Sequence, residues 1–188
     1  MKTRPQILLL TIFLLQILVA CKDDCKNYKP KDNYNAIDQS DLNYVPYKGF
    51  DTLVFLRNNT DTITFYGMGK NKIITTEPGD LGGCGPTSYE HNDNYRYTFS
   101  SNTIQDKIII ELIYPEYFNC YFKNKVFKIP MVYLNAPFNL NEIKLNGIVY
   151  NDITFIPREP KDTLYYDNEV GMIKFGFQSG EQWTLIKK

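Results

Sequence analysis

The 188 residues carry 21 basic and 21 acidic side chains and a single histidine. That balance, with no basic run, argues against nucleic acid or an anionic lipid surface as a partner. Tyr (15) and Phe (12) are plentiful, a composition that suits strands.

The chain begins with Lys2 and Arg4, followed by an apolar run of 14 residues from Ile7 to Ala20 that contains Thr11 and Gln16. A membrane-spanning helix needs roughly 20 such residues and a signal-peptide core about 7–15. Length, the charged start and the small residues before Cys21 therefore predict a cleaved signal over residues 1–20. The tetrad Leu18-Val19-Ala20-Cys21 resembles the lipobox of bacterial lipoproteins. That resemblance implies diacylglyceryl attachment to the Cys21 thiol, cleavage before it and acylation of the new amino group. The membrane is then a partner held through Cys21, because two or more acyl chains, at about 0.8 kcal/mol per buried methylene, retain a domain on a bilayer. The following Lys22-Asp23-Asp24 resembles the acidic export tag with which one group of Gram-negative bacteria places lipoproteins on the outer face of the outer membrane. Position 22 is not the Asp that retains lipoproteins at the inner membrane in other Gram-negatives. Removing residues 1–20 takes away two basic and no acidic side chains, leaving 19 against 21 and a net charge of −2. The remaining length suits one domain with a sizeable core.

Residues 21–43 are polar and without apolar periodicity, which predicts a lipidated Cys and a flexible tether. Tyr44-Val45-Pro46-Tyr47 marks the entry to a β domain over 44–188. Asp51–Leu56 and Asp61–Tyr66 read as two strands flanking the turn-rich Arg57-Asn58-Asn59-Thr60. Asp152–Phe155 and Asp162–Tyr166 repeat the phrase. Each leading Asp is expected to close a turn through its side chain rather than to contact a ligand or metal. Further strands are expected at 72–76, 95–100, 107–114, 120–129, 131–134, 143–150, 170–177 and 182–186. In Met172–Phe177, Ile173, Phe175 and Phe177 alternate with Met172, Lys174 and Gly176, which predicts one buried face and one solvated face. The expectation is an all-β chain, a single antiparallel meander curling into a sandwich or partial barrel. The ending Tyr165–Lys188 and the opening Pro46–Phe55 resemble those of small β-rich lipoproteins from the same bacterial group. This resemblance implies fold and location and transfers no catalytic residues.

With Cys21 lipidated, three cysteines remain outside the cytoplasm, where disulfides persist. Cys84–Cys120 is the expected pair, both lying in the β domain; Cys25–Cys84 is the competitor. No metal site is expected, because the cysteines lack short-spaced ligand partners and there is one His. No cofactor is expected either: phosphate-loop and dinucleotide fingerprints are missing. Gly82–Ser88 (GGCGPTS) resembles the phrase around the nucleophile of bacteriocin-processing cysteine peptidases. Their Gln four residues before the Cys is Asp80 here, and the only His, His91, lies seven residues after Cys84 with none downstream. A thiolate would thus lack its base. The favoured reading is a non-enzymatic surface module that binds a protein or glycan. The alternatives are an acyl-chain carrier with an apolar cavity and a small carboxylate-based hydrolase.

Replacing Cys21 by Ala is expected to abolish incorporation of radiolabelled palmitate and to release the protein from membranes; persistent labelling would falsify the anchor.

Overall fold

The computed structural model describes residues 25, 27–115, 117–130, 139–158 and 161–188. The signal, Cys21, the Lys22-Asp23-Asp24 tag and the strand expected at 131–134 lie outside these residues.

The fold is all-β and antiparallel. In chain order the elements are β1 (Lys31–Asn35), the one-turn helix α1 (Gln39–Leu42), β2 (Thr52–Arg57), β3 (Asp61–Pro78), β4 (Leu81–Gly82), β5 (Gly85–Pro86) and β6 (Ser88–Ser100). They continue with β7 (Lys107–Ile113), β8 (Tyr117–Phe122), β9 (Lys125–Pro130), β10 (Asn139–Leu145), β11 (Ile148–Arg158), β12 (Asp162–Asp167), β13 (Gly171–Gly176) and β14 (Gln182–Lys187). A 12-stranded sheet runs β10-β11-β12-β13-β14-β2-β3-β6-β7-β8-β9, with β1 paired to β6; β4 and β5 form a separate ribbon. Among the described residues, no helix is long and apolar enough to cross a membrane.

Hairpin turns set this path. Asn58-Asn59, Lys123-Asn124 and Asn146-Gly147 all have φ between 49° and 84°, the left-handed backbone that a tight hairpin needs to match strand twist. The stretches 120–129 and 143–150, each expected as one strand, are therefore two strands apiece, folded back at Lys123-Asn124 and Asn146-Gly147. Phe122 faces Lys125, and Leu145 faces Ile148, across these turns.

The chain forms two compact units. One comprises Asn35–Thr75 with Asn92–Lys188; the other comprises Thr76–His91 with the described residues up to Tyr34. The region 44–188, expected as one β domain, is thus shared between them.

In the larger unit, period-2 alternation buries one face of β2 and β7, while runs of three buried residues interrupt it in β8, β13 and β14; Met172, expected on the solvated face of β13, is fully buried. Leu53 and Phe55 of β2, Ile63 and Phe65 of β3, Ile108, Ile110 and Leu112 of β7, and Phe118, Cys120 and Phe122 of β8 point into a common core. The sheet curls so that β8 and β9 meet β12–β14 across that core. Phe118 packs edge-on against Tyr166 and Phe122 against Trp183, and Phe127 packs at a tilt against Phe175. The N-terminal part of this unit is sewn in by phenols. The Tyr166 hydroxyl donates to the Tyr44 carbonyl at 2.7 Å, and the Met172 N–H donates to the Tyr47 hydroxyl at 2.6 Å. Gly171, at φ +99°, leaves the space that the Tyr47 ring occupies. Any Cβ there would collide with the ring.

The smaller unit is held differently. A disulfide joins Cys25 to Cys84, 59 residues apart, with Cα atoms 5.4 Å from one another. The Tyr28 hydroxyl donates to the Pro86 carbonyl. Lys31 N–H donates to Thr87 O at 3.1 Å, and Asn33 to Glu90 at 2.7 Å. On the chain-entropy model, closing a loop of this size stabilises by about 4 kcal/mol.

Two expectations are corrected here. The disulfide is not Cys84–Cys120. Cys120 is free, fully buried, and sits between Phe118 and Phe122 on the inward face of β8, with its Sγ 3.4 Å from Met172 Sδ. The polar stretch to residue 43 is not a plain tether either, because it contributes Cys25, β1 and α1.

Burial also pushes the Cys120 thiol well up, so the reactive thiolate is scarce. A soluble form beginning at Lys22 is expected to show no thiol reactive toward Ellman's reagent in the folded state and one in guanidinium. Two or three reactive thiols in unfolded, unreduced protein would contradict the pairing.

Candidate functional site

In the larger unit, a surface cleft of about 480 Å3 is lined by Lys123, Lys125, Asp162, Phe177, Gln178, Ser179 and Glu181. Three local structures build it. The Lys123-Asn124 turn places the two lysines on either side of a hairpin tip. The turn after β13 closes through Gly180 N–H to Phe177 O and Phe177 N–H to Glu181 O, both 2.9 Å, with Gly180 at φ +87°. The third is the first residue of β12, Asp162.

Asp162 is 1% exposed, a burial that a carboxylate tolerates only when paired and hydrogen-bonded. Its Oδ1 accepts the Gln178 N–H at 2.9 Å, and its Oδ2 lies 3.1 Å from both Lys125 Nζ and Arg158 Nη1. Burial by itself raises this carboxyl, but the Gln178 N–H, then Lys125 and Arg158, outweigh it and hold the group below the usual carboxylate range. Glu181 takes both oxygens to Lys123 Nζ, at 2.7 and 2.8 Å. Both carboxylates of the cleft are therefore already matched. Beneath them, Trp183 is fully buried, with the Lys123 ammonium 5.5 Å and the Arg57 guanidinium 5.7 Å from its ring centroid. Its Nε1 has no partner among the described residues.

The four leading Asp residues divide in role. Asp51 closes its turn as expected, accepting Lys48 and Gly49 N–H groups at 2.7 and 3.0 Å. Asp61 instead pairs with Arg57 across the hairpin at 2.6 Å. Asp152 sits within β11 at φ 54°. Asp162 is the centre of the ion cluster. Nothing in its sequence context distinguishes it from the others, because Lys125 and Gln178 arrive from a strand and a turn distant in the chain. The turn-closing role is also filled by Asp167, not anticipated, which accepts Glu169 and Val170 N–H groups.

A second cleft, of about 460 Å3, lies along Ile148–Asp152 and Asp167–Val170. Among the described residues, no group of three or more His, Cys, Asp or Glu could hold a metal ion.

In the smaller unit, the sulfur of Cys84 is consumed by the disulfide. His91 is held between Thr76 Oγ1 at 2.9 Å and Asp32 Oδ1 at 3.0 Å, and stacks on Tyr34 with ring centroids 4.6 Å apart. Hydroxyl, imidazole and carboxylate stand in the order of a hydrolytic triad. Here they link β3, β6 and β1, and none of the three lines either cleft described above.

No protein-family model, curated protein or solved structure matches this chain.

Asp162 stabilises the fold as an anion. Its contribution is complete above the ordinary carboxylate pKa of about 4 and is lost as pH falls through the lower folded value. Asp162→Asn is expected to cost about 1–3 kcal/mol at neutral pH and to flatten the loss of stability below about pH 4. Urea midpoints across that range check this; an unchanged acid limb would remove Asp162 as its source.

Proposed function

We propose that the protein is a lipid-anchored lipoprotein of the bacterial outer membrane, facing the cell exterior, whose β fold is a non-enzymatic interaction module. The anchor and the address rest on Leu18-Val19-Ala20-Cys21 and on Lys22-Asp23-Asp24. The module reading rests on one observation above all: Lys125, which lines the cleft, and Arg158, which reaches Asp162 from the end of β11, share a single carboxylate, that of Asp162. Two cations on one anion leave positive charge for a partner, and both side chains are about one-third exposed (36% and 34%). An acidic group on an envelope protein or glycan fits that surplus.

The hydrolase alternative asks one carboxyl of a pair to stay protonated as a proton donor. Asp162 is biased the other way, and Glu181 is committed to Lys123. The carrier alternative asks for open apolar space. Ring contacts instead run across the interior from Phe65 through Phe122 to Phe175 and Phe127.

Chemical cross-linking on intact cells tests the module and its address together. Lys125→Glu combined with Arg158→Glu is expected to lower partner capture about tenfold, while Glu169→Ala in the second cleft leaves it unchanged. Replacing Lys22, Asp23 and Asp24 by Ala should keep palmitate labelling but reduce protease accessibility from outside. Equal capture by the charge-reversed protein would sink the cleft as the binding site.

A further inference from the structure

The Cys25–Cys84 disulfide shortens the distance between the anchor and the folded chain. If residues up to 43 were free, the first ordered residue could stand far from the bilayer. With Cys25 covalently fixed to Cys84, four peptide steps separate Cys21 from the smaller unit. A chain spans at most about 3.3–3.6 Å per residue, so the disulfide stands within about 14 Å of the acylated residue whatever those steps do. That is less than the thickness of one leaflet with its headgroups.

What the disulfide brings there is the β4–β5 ribbon. Leu81 pairs with Pro86 and Gly82 with Gly85, so Cys84 lies in the turn of the ribbon. The six residues Leu81–Pro86 carry no charge. Leu81 is 81% exposed, and Gly82 and Gly83 beside it are exposed without side chains. The uncharged ribbon offers Leu81 from its open end to the headgroup boundary, where the adjoining exposed Asp80 stays at the level of the polar headgroups.

Resting on the lipoprotein reading above, we infer that the β4–β5 ribbon is a membrane-contact surface, with Leu81 inserted at the headgroup boundary of the phospholipid leaflet that holds Cys21. The disulfide is then an orienting clamp. It fixes which part of the smaller unit faces the lipid, as a freely hinged tether cannot.

The test uses the full-length acylated protein in phosphatidylcholine vesicles, with and without brominated acyl chains. Leu81→Trp adds a reporter, and the parent, whose single Trp183 is fully buried, supplies the background. Brominated lipid is expected to quench the added emission while leaving that of the parent unchanged. Inserting about twelve Gly and Ser residues between Asp24 and Cys25 lengthens the tether while keeping the disulfide, and is expected to return quenching to background. Palmitate-labelled, vesicle-bound protein that shows no quenching at position 81, or quenching unaffected by the insertion, overturns the clamp and leaves the anchor standing. Protein that takes up no palmitate overturns the lipoprotein reading, and the inference falls with it.

Discussion

Phe122 meets four other rings. Phe65, Phe175, Phe177 and Trp183 lie with centroids 4.9–5.8 Å from its own, at inclined or edge-on angles, the arrangements aromatic quadrupoles favour. These contacts join β8 to β3, β13 and β14, strands far from it along the sheet path, and so hold the curl of the larger unit. The next residue in the chain is Lys123. A ring locked in the core is thus one peptide bond from the cation at the mouth of the cleft, and the left-handed Lys123-Asn124 turn turns that cation back over Trp183. Trp183 belongs to both regions. Its ring meets Phe65 and Phe122 in the interior, and Lys123 and Arg57 lie over it.

This coupling explains how Asp162 can be buried at a surface cleft. A lone carboxylate at 1% exposure would cost several kcal/mol or take up a proton. Here a backbone N–H and two cations meet it, and all three donors are delivered by the same curl: Gln178 from the turn after β13, Lys125 from the start of β9, Arg158 from the end of β11. The cost of burial is met by geometry that the aromatic core enforces.

The fold class was legible because its signals are local. β-branched and aromatic runs, alternation in β13, and Asn-rich connections such as Asn58-Asn59 each act within a few residues. The turns at Lys123-Asn124 and Asn146-Gly147 lie inside apolar runs that mask them, although Asn146-Gly147 is among the strongest short hairpin signals. The place of Cys120 is legible in the sequence too. Phe118, Cys120 and Phe122 alternate on one face, and a Cys flanked that way is a core residue. The ion cluster was not legible. Lys125, Arg158 and Asp162 look like surface charges in sequence, and only the curl that brings β9 against the β11–β12 hairpin makes them a unit.

The stretch up to residue 43 shows why composition misleads at a sheet edge. β1 reads KDNYN and is exposed at four of its five positions, so no apolar alternation can announce it. A strand of this kind is held by its backbone ladder to β6 and by side-chain amides, with Asn33 donating to Glu90 and Asn35 to Asn92. Such bonds contribute about 1 kcal/mol each and do not order a free peptide alone. The disulfide changes that balance. By fixing Cys25 to Cys84 it keeps β1 close to its partner strand in the unfolded ensemble too, reducing the loop-closure entropy that pairing must overcome. Polarity here marks an edge strand ordered by a covalent link, and periodicity reads it as a linker because it measures burial alone.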